Sequence, residues 1–253
     1  MKTSRLVGAA LLVCGLLLTA ACSAHNDNAA SATASASATP SAPETATATP
    51  ASSASVDTNF KLGDQYAALK QPSGQPAPTG PIEVVEVFSY GCPHCAEFAP
   101  YMDKLRASLP KGVEVRYMPA VFSAAWMPYA QAFYAARQLG VLHQTHDAFF
   151  KAMLEHYPLN SLQDMSTWYA RQGVDQQKFL AAASNATTMH QMAADQKTEI
   201  SWGIDATPTL VVGRRASADK SAPFVALLKS KDIDSYAQLQ QLGLWMVRDV
   251  QKQ

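Results

Sequence analysis

Cysteine is scarce in this sequence, with four in 253 residues. That is too few for a scaffold held together by disulfides, the usual substitute for a core in small secreted domains. An excess of charge is missing as well. Twenty basic side chains stand against twenty acidic ones, so the formal net charge is zero. A nucleic-acid-binding surface needs a basic surplus, and no nucleic-acid partner is expected. Long apolar runs are confined to one place. From Leu6 to Ala21 the chain is apolar or small apart from Cys14 and Thr19. That run is too short to span a bilayer.

Lys2 and Arg5 precede the run, and the first 21 residues contain no acid. This is the charge pattern of a secretory signal. Taking these two from the 20 basic residues leaves 18 against 20 acids, a slight negative balance in the mature chain. The run closes on Leu18-Thr19-Ala20-Ala21-Cys22. Small residues directly before a cysteine resemble the bacterial lipobox, where the signal is cleaved and the cysteine acylated. Cys22 is therefore the expected lipidation site, with residues 1–21 as signal peptide. Acyl chains would hold the protein to a membrane without a transmembrane helix. Ser23, a residue other than Asp after the cysteine, favours the outer over the inner membrane by the enterobacterial sorting rule.

A tether follows. Between Ala29 and Ser55 every residue except Glu44 is Ala, Ser, Thr or Pro. Such a stretch buries too little apolar surface to offset chain entropy, and Pro40, Pro43 and Pro50 break the helix that alanine favours. As a flexible chain it spans about 30 Å on average. Residues 22–56 read as lipidated cysteine plus disordered tether, and 57–253 as one folded domain with structure beginning near Phe60.

Cys92 and Cys95 are then the two cysteines left in the folded part. Residues 82–88 are mostly β-branched and aromatic and read as a strand. Gly91 marks a turn. Beyond it Phe98, Met102, Leu105 and Leu109 recur at helical spacing, and Pro93 suits the first helical position, where a missing N–H is tolerated. Cys92 thus falls at a helix N-terminus, where unpaired N–H groups and partial positive charge stabilise a thiolate. His94 adds a donor or a positive charge nearby. Each influence lowers the Cys92 pKa, and a stable thiolate makes the corresponding disulfide more oxidising. Cys95, one turn further in, is expected to be buried and to act as the resolving thiol.

Phe88-Ser89-Tyr90-Gly91-Cys92-Pro93-His94-Cys95 resembles the active site of the DsbA family of disulfide-forming oxidases. Gly203-Ile204-Asp205-Ala206-Thr207-Pro208-Thr209 is similar to the cis-proline loop of thioredoxin-like folds. The resemblance extends over roughly residues 60–253, including the opening segment Phe60–Tyr66. It implies an α/β thioredoxin-like fold with an inserted helical subdomain, here about 124–198, where some eighty residues of helical pattern separate the strand near Val113–Tyr117 from the proline loop. Pro128 and Pro158 mark helix starts or breaks, and Ile233–Val250 reads as a C-terminal helix with Tyr236, Leu239, Leu242 and Met246 on one face. The resemblance also implies roles. Cys92, Cys95, His94, Pro93 and the buried acid Glu86 belong to the catalytic set, and Thr207 and Pro208 bind substrate backbone. The family reading needs no metal, flavin or nucleotide, only a redox-active Cys92–Cys95 disulfide. It implies a periplasmic monomer acting on reduced secreted proteins and reoxidised by a quinone-linked membrane partner similar to DsbB. Gly91 departs from the bulkier residue of some members, a change at the substrate surface rather than in the chemistry.

Competing readings attach to particular residues. Two cysteines spaced C-x-x-C are half of many zinc sites, and His143 and His146 formally complete one. The pair otherwise reads as a solvated helix surface, as do His156 and His190. Glu86 could be a polar residue on a half-exposed strand, since Glu83 shares that strand. Phe122, Trp126, Tyr129, Phe133 and Tyr134 line either a helix core or the peptide groove of a lipid-anchored chaperone. Within redox chemistry, a tethered reductase or isomerase competes with the oxidase. Pro-His between the cysteines favours the oxidase, and isomerases of this compartment usually carry a dimerisation domain where this chain has a tether.

Overall fold

The computed structural model describes residues 60–69, 79–215, 224–230 and 235–252, the stretch 224–230 through its backbone alone. Cys14, the expected lipidation site Cys22, the expected tether and Ile233 lie outside the described residues.

Five strands form one sheet: β1 (Tyr66–Ala68), β2 (Ile82–Phe88), β3 (Glu114–Pro119), β4 (Thr209–Arg215) and β5 (Phe224–Ser230), in the order β1-β5-β4-β2-β3. Strands β2 and β3 run parallel around the crossover helix α1 (Pro93–Ser108), and the other pairings are antiparallel. All seven residues of β2 are buried, because both faces of the sheet are covered. Ile82 and Val84 pack under α1 and the C-terminal helix α7 (Tyr236–Lys252), against Phe98, Met102, Leu105, Leu242 and Met246. Val85 and Val87 face the other way, onto Met118, Ile204 and Val211. The half-exposed strand that would accommodate Glu86 at a surface is therefore not what forms.

Helix α1 runs through Pro100, which has no N–H to give to the preceding turn. An interior proline costs about 3 kcal/mol. Phe98, Met102 and Leu105 are almost wholly buried. At about 1.5–3 kcal/mol each, their burial outweighs that cost. The C-terminal helix is described from Tyr236, three residues later than the sequence pattern places it.

Between β3 and β4 the chain makes a short 3-10 turn (Ala124–Trp126) and five helices: α2 (Met127–Gln138), α3 (Leu142–Leu154), α4 (Leu162–Arg171), α5 (Gln176–Ser184) and α6 (Ala186–Trp202). The helical insertion thus extends four residues past the expected 198. Pro128 lies in the first turn of α2, and Pro158 separates α3 from α4. Ser161, Asp175 and Asn185 cap α4, α5 and α6 by accepting from the N–H three residues on. The core of the insertion is aromatic, with Phe149, Tyr169 and Phe179 in ring contact. Phe88, Tyr90, Cys92, Cys95 and Ala96 belong to that same core. The cysteines thus sit where the insertion covers the end of β2.

Candidate active site

Cys92 is the N-cap of α1, with Pro93 in the first turn, as the spacing predicts. Its own N–H is donated to Ser89 O, and its carbonyl accepts from the N–H groups of Cys95 and Ala96. The chain thereby turns sharply out of β2 and presents the sulfur at the open end of the helix. Both cysteines are unbonded thiols, Cys92 being 5% and Cys95 0% exposed. The two respond oppositely to this setting. The Cys92 pKa falls to about 6, through a hydrogen bond from the Cys95 thiol, then contributions from Thr207 and the backbone N–H groups of Cys95 and His94, against burial. Burial, reinforced by the neighbouring Cys92, pushes the Cys95 thiol far above its ordinary value. At neutral pH Cys92 is therefore mostly a thiolate and Cys95 holds its proton.

The proline loop lies against this sulfur. The Thr207–Pro208 bond is cis. As a thiol, Cys92 Sγ donates to Thr207 O at 3.6 Å. Strand β4 begins at Thr209, so Pro208 needs no N–H for the ladder. A cleft of about 590 Å³ opens beside the loop, lined by His94, Tyr101, Thr207, Pro208, Tyr236 and Leu239 among others. An extended polypeptide laid along it would reach Cys92 with its backbone against the loop.

His94 contributes in a way that differs from the sequence expectation. Its backbone N–H supports the Cys92 thiolate, while its ring turns outward. Imidazole Nδ1 lies 2.9 Å from Tyr236 Oη and 3.4 Å from Glu97 Oε2. Tyr236 in turn donates to Glu97 Oε2 at 2.6 Å. Sequence reasoning placed Tyr236 only on a helix face and missed Glu97. The two are 139 residues apart, and no local pattern signals their contact.

Glu86 is 1% exposed, and its Oε1 has no hydrogen-bond partner among the described residues. Burial raises its pKa to about 8, with Asp147, Asp103 and Cys92 adding to the shift and Arg106 opposing it. Its charge also acts on Cys95. The acid is thus protonated at neutral pH and within electrostatic reach of both cysteines.

Several other expectations need correction. His146 is not on a solvated surface: it is 5% exposed, and its Nδ1 meets Tyr90 Oη at 2.8 Å. Burial lowers its pKa to about 3, so it is neutral and accepts the tyrosine proton. His143, three residues earlier, is exposed, as are His156 and His190. Among the described residues no group of three or more His, Cys, Asp or Glu side chains is placed to hold a metal ion. The five aromatic candidates divide. Phe133 and Tyr134 are core, whereas Phe122, Trp126 and Tyr129 remain partly exposed. Trp126 and Tyr129 close over Gly91, where a Cβ would lie 2.8 Å from the Tyr129 ring and 3.1 Å from Trp126. Gly91 is thus a packing requirement as well as a surface difference.

A nucleophilic thiol at a helix N-terminus, a buried partner thiol and a facing proline loop define a thioredoxin-fold thiol:disulfide oxidoreductase. A sequence family described as Thioredoxin matches residues 75–229. The thiol:disulfide interchange protein DsbA of Pseudomonas aeruginosa is 34% identical over 167 residues, covering 66% of this chain and 79% of that protein. Its counterpart in Azotobacter vinelandii is also 34% identical, over 164 residues covering 64% and 75%. The crystal structure of the oxidoreductase DsbA from Xylella fastidiosa superposes with a TM-score of 0.65 at 28% identity, over 77% of this chain and 99% of that one. The chain belongs to the DsbA family, and it is a disulfide-forming thiol:disulfide oxidoreductase.

Proposed function

We propose that Cys92 carries the exchange, with Cys95 as its leaving group in the oxidising direction and its resolving thiol in the reverse, in a domain held in the periplasm by a lipid on Cys22. The observation that carries the assignment is the opposite treatment of the two thiols, one lowered to about 6 and the other raised by burial.

In the oxidised protein a substrate thiolate attacks Sγ of Cys92. The Cys92–Cys95 bond breaks, a substrate–Cys92 disulfide forms, and Cys95 leaves as a thiolate that must gain a proton. Glu86, protonated at neutral pH and electrostatically coupled to Cys95, is the group placed to supply it. A second substrate thiolate then attacks the substrate sulfur of the mixed disulfide. The substrate disulfide forms and Cys92 leaves as the thiolate that its surroundings stabilise. Two electrons pass from the substrate dithiol to the protein. Thr207 and Pro208 hold the substrate backbone beside the sulfur, and Pro93 shapes the first turn that aims the N–H groups. The reaction runs on the protein's own disulfide, without a metal, flavin or nucleotide.

Reduced secreted proteins are the substrates of this reading, and a quinone-linked membrane protein similar to DsbB restores the disulfide. Signal peptide 1–21, lipidated Cys22 and the tether to residue 56 place a monomeric domain off the membrane surface, with the outer membrane favoured.

The deciding measurement is the reduction potential of Cys92–Cys95 in glutathione buffers. A value of about −120 mV, the figure established for DsbA, supports a disulfide donor. One near about −270 mV indicates a tethered reductase instead. Cys92→Ser is expected to abolish turnover, and Cys95→Ser to accumulate mixed disulfides on a non-reducing gel. Absence of adducts from the second variant would overturn the division of labour.

A further inference from the structure

Counting the protons around His94 fixes more than its position. A tyrosine hydroxyl has one proton, and Tyr236 gives it to Glu97 Oε2 at 2.6 Å, a short bond of the charge-assisted kind. The 2.9 Å contact between Tyr236 Oη and His94 Nδ1 then has one donor left, the imidazole Nδ1–H. Glu97 Oε2, 3.4 Å from the same nitrogen, attracts that proton further. The ring is held with Nδ1–H turned toward α7 and Glu97. Hydrogen bonds to the Cys92 sulfur come instead from the Cys95 thiol, Thr207 and two backbone N–H groups.

The anchor of this arrangement is aromatic packing. Tyr236 packs its ring on Phe98 and Tyr101, with centroids 6.0 Å away in both cases. It therefore ties the start of α7 to the exposed face of α1, at the edge of the cleft that His94 and Tyr236 both line.

We propose that Glu97 and Tyr236 are positioning residues that hold the His94 imidazole away from the Cys92 sulfur and so restrain the oxidising strength of the pair. The inference rests on the reading of Cys92 as the reactive thiolate. Released from the clamp, the ring can turn its N–H to the thiolate two positions back in the chain. A donor added to an anionic sulfur stabilises the reduced protein.

The test is a double-mutant cycle on the glutathione equilibrium, with the Cys92 titration followed by thiolate ultraviolet absorbance. Tyr236→Phe keeps the ring packing and removes the hydroxyl. It is expected to shift the equilibrium about fivefold toward the reduced protein and to lower the Cys92 titration midpoint. In a His94→Ala background the same substitution is expected to shift it less than about twofold, because no ring remains to be released. Glu97→Gln, an exposed change, is expected to act in the same direction as Tyr236→Phe with a smaller shift. An unchanged or less oxidising Tyr236→Phe protein overturns the clamp, and so does a shift that is equally large without His94. Failure of the underlying reading has a different signature: Cys92→Ser would retain turnover, whatever Tyr236→Phe does.

Discussion

Glu83 and Glu86 stand three residues apart on the inner strand β2 and are 3% and 1% exposed, yet they are treated in opposite ways. Glu83 accepts from Arg215 at 2.5 Å through one oxygen and from Arg116 at 3.2 Å through the other. Arg215 also reaches Glu114, and Arg116 reaches Asp195, which itself accepts from Tyr134. Glu86 has no guanidinium against either oxygen among the described residues, and its Oε1 is unpartnered. The strand's alternation sends them to opposite faces: Glu83 toward α6, Glu86 toward α1 and α3 and the cysteines. A carboxylate buried with cations is a structural tie. One buried without them holds its proton and can release it, which is what a reacting thiol pair needs from a neighbour.

Breaking the paired acid should have the largest effect. Glu83→Gln leaves Arg215, 4% exposed, with a diminished counter-charge. Removing one partner of a buried pair costs about 3–5 kcal/mol, to be read from urea unfolding. The Cys92 thiolate titration should stay where it is, since the network lies at the far end of the strand. Undiminished stability, or a titration that moves with it, would break the contrast.

The unpaired acid should act in the opposite sense. With a folded pKa of about 8 against an ordinary 4.5, Glu86 binds its proton more tightly in the folded state. Stability contributed by that proton is complete below the ordinary value and is lost as pH rises through the folded one. Glu86→Gln, which mimics the protonated acid, should therefore cost or gain less than about 1 kcal/mol at pH 5 and stabilise the protein by about 4–5 kcal/mol above pH 8. The same variant should slow release of the Cys95 thiolate in single-turnover exchange. A parallel pH–stability curve for variant and parent would show that Glu86 is not the titrating group.

Much of this was readable in the sequence, and what was not shares one physical cause. The strand–turn–helix at Cys92 and the proline loop before β4 are local. Their turn residues, periodicity and N-terminal proline act within a few positions, so the chain spells them out. The helical insertion was legible for the same reason, to within four residues of its end. Pairings across long separations were not. Arg215 meets Glu83 from 132 residues away, and Tyr236 meets Glu97 from 139. His146 looked like half of a surface pair because its neighbours on α3 are mixed, and only the packing of Tyr90, Tyr117 and Phe150 around it shows that it is buried. Periodicity reports which face is covered and is silent on what covers it.

Gly91 gives the mildest test, at the strand's exit, where packing takes over from charge. An added Cβ would sit 2.8 Å from a ring carbon of Tyr129, and the neighbouring Trp126 leaves little room on the other side. Something must yield, and Tyr129 is the candidate, because it is half-buried on α2 and its ring can swing toward solvent. Overpacking that a side chain can relieve should cost about 1 kcal/mol. Gly91→Ala is therefore expected to lower stability by about that amount and to leave the Cys92 titration unchanged, since the N–H groups that stabilise the thiolate belong to residues 94 and 95. In a Tyr129→Ala background the same alanine should be nearly neutral. If Gly91→Ala instead shifts the thiolate titration in either background, the glycine acts on the turn that aims α1 at the sulfur, and the division drawn here between packing and charge at this end of the strand fails.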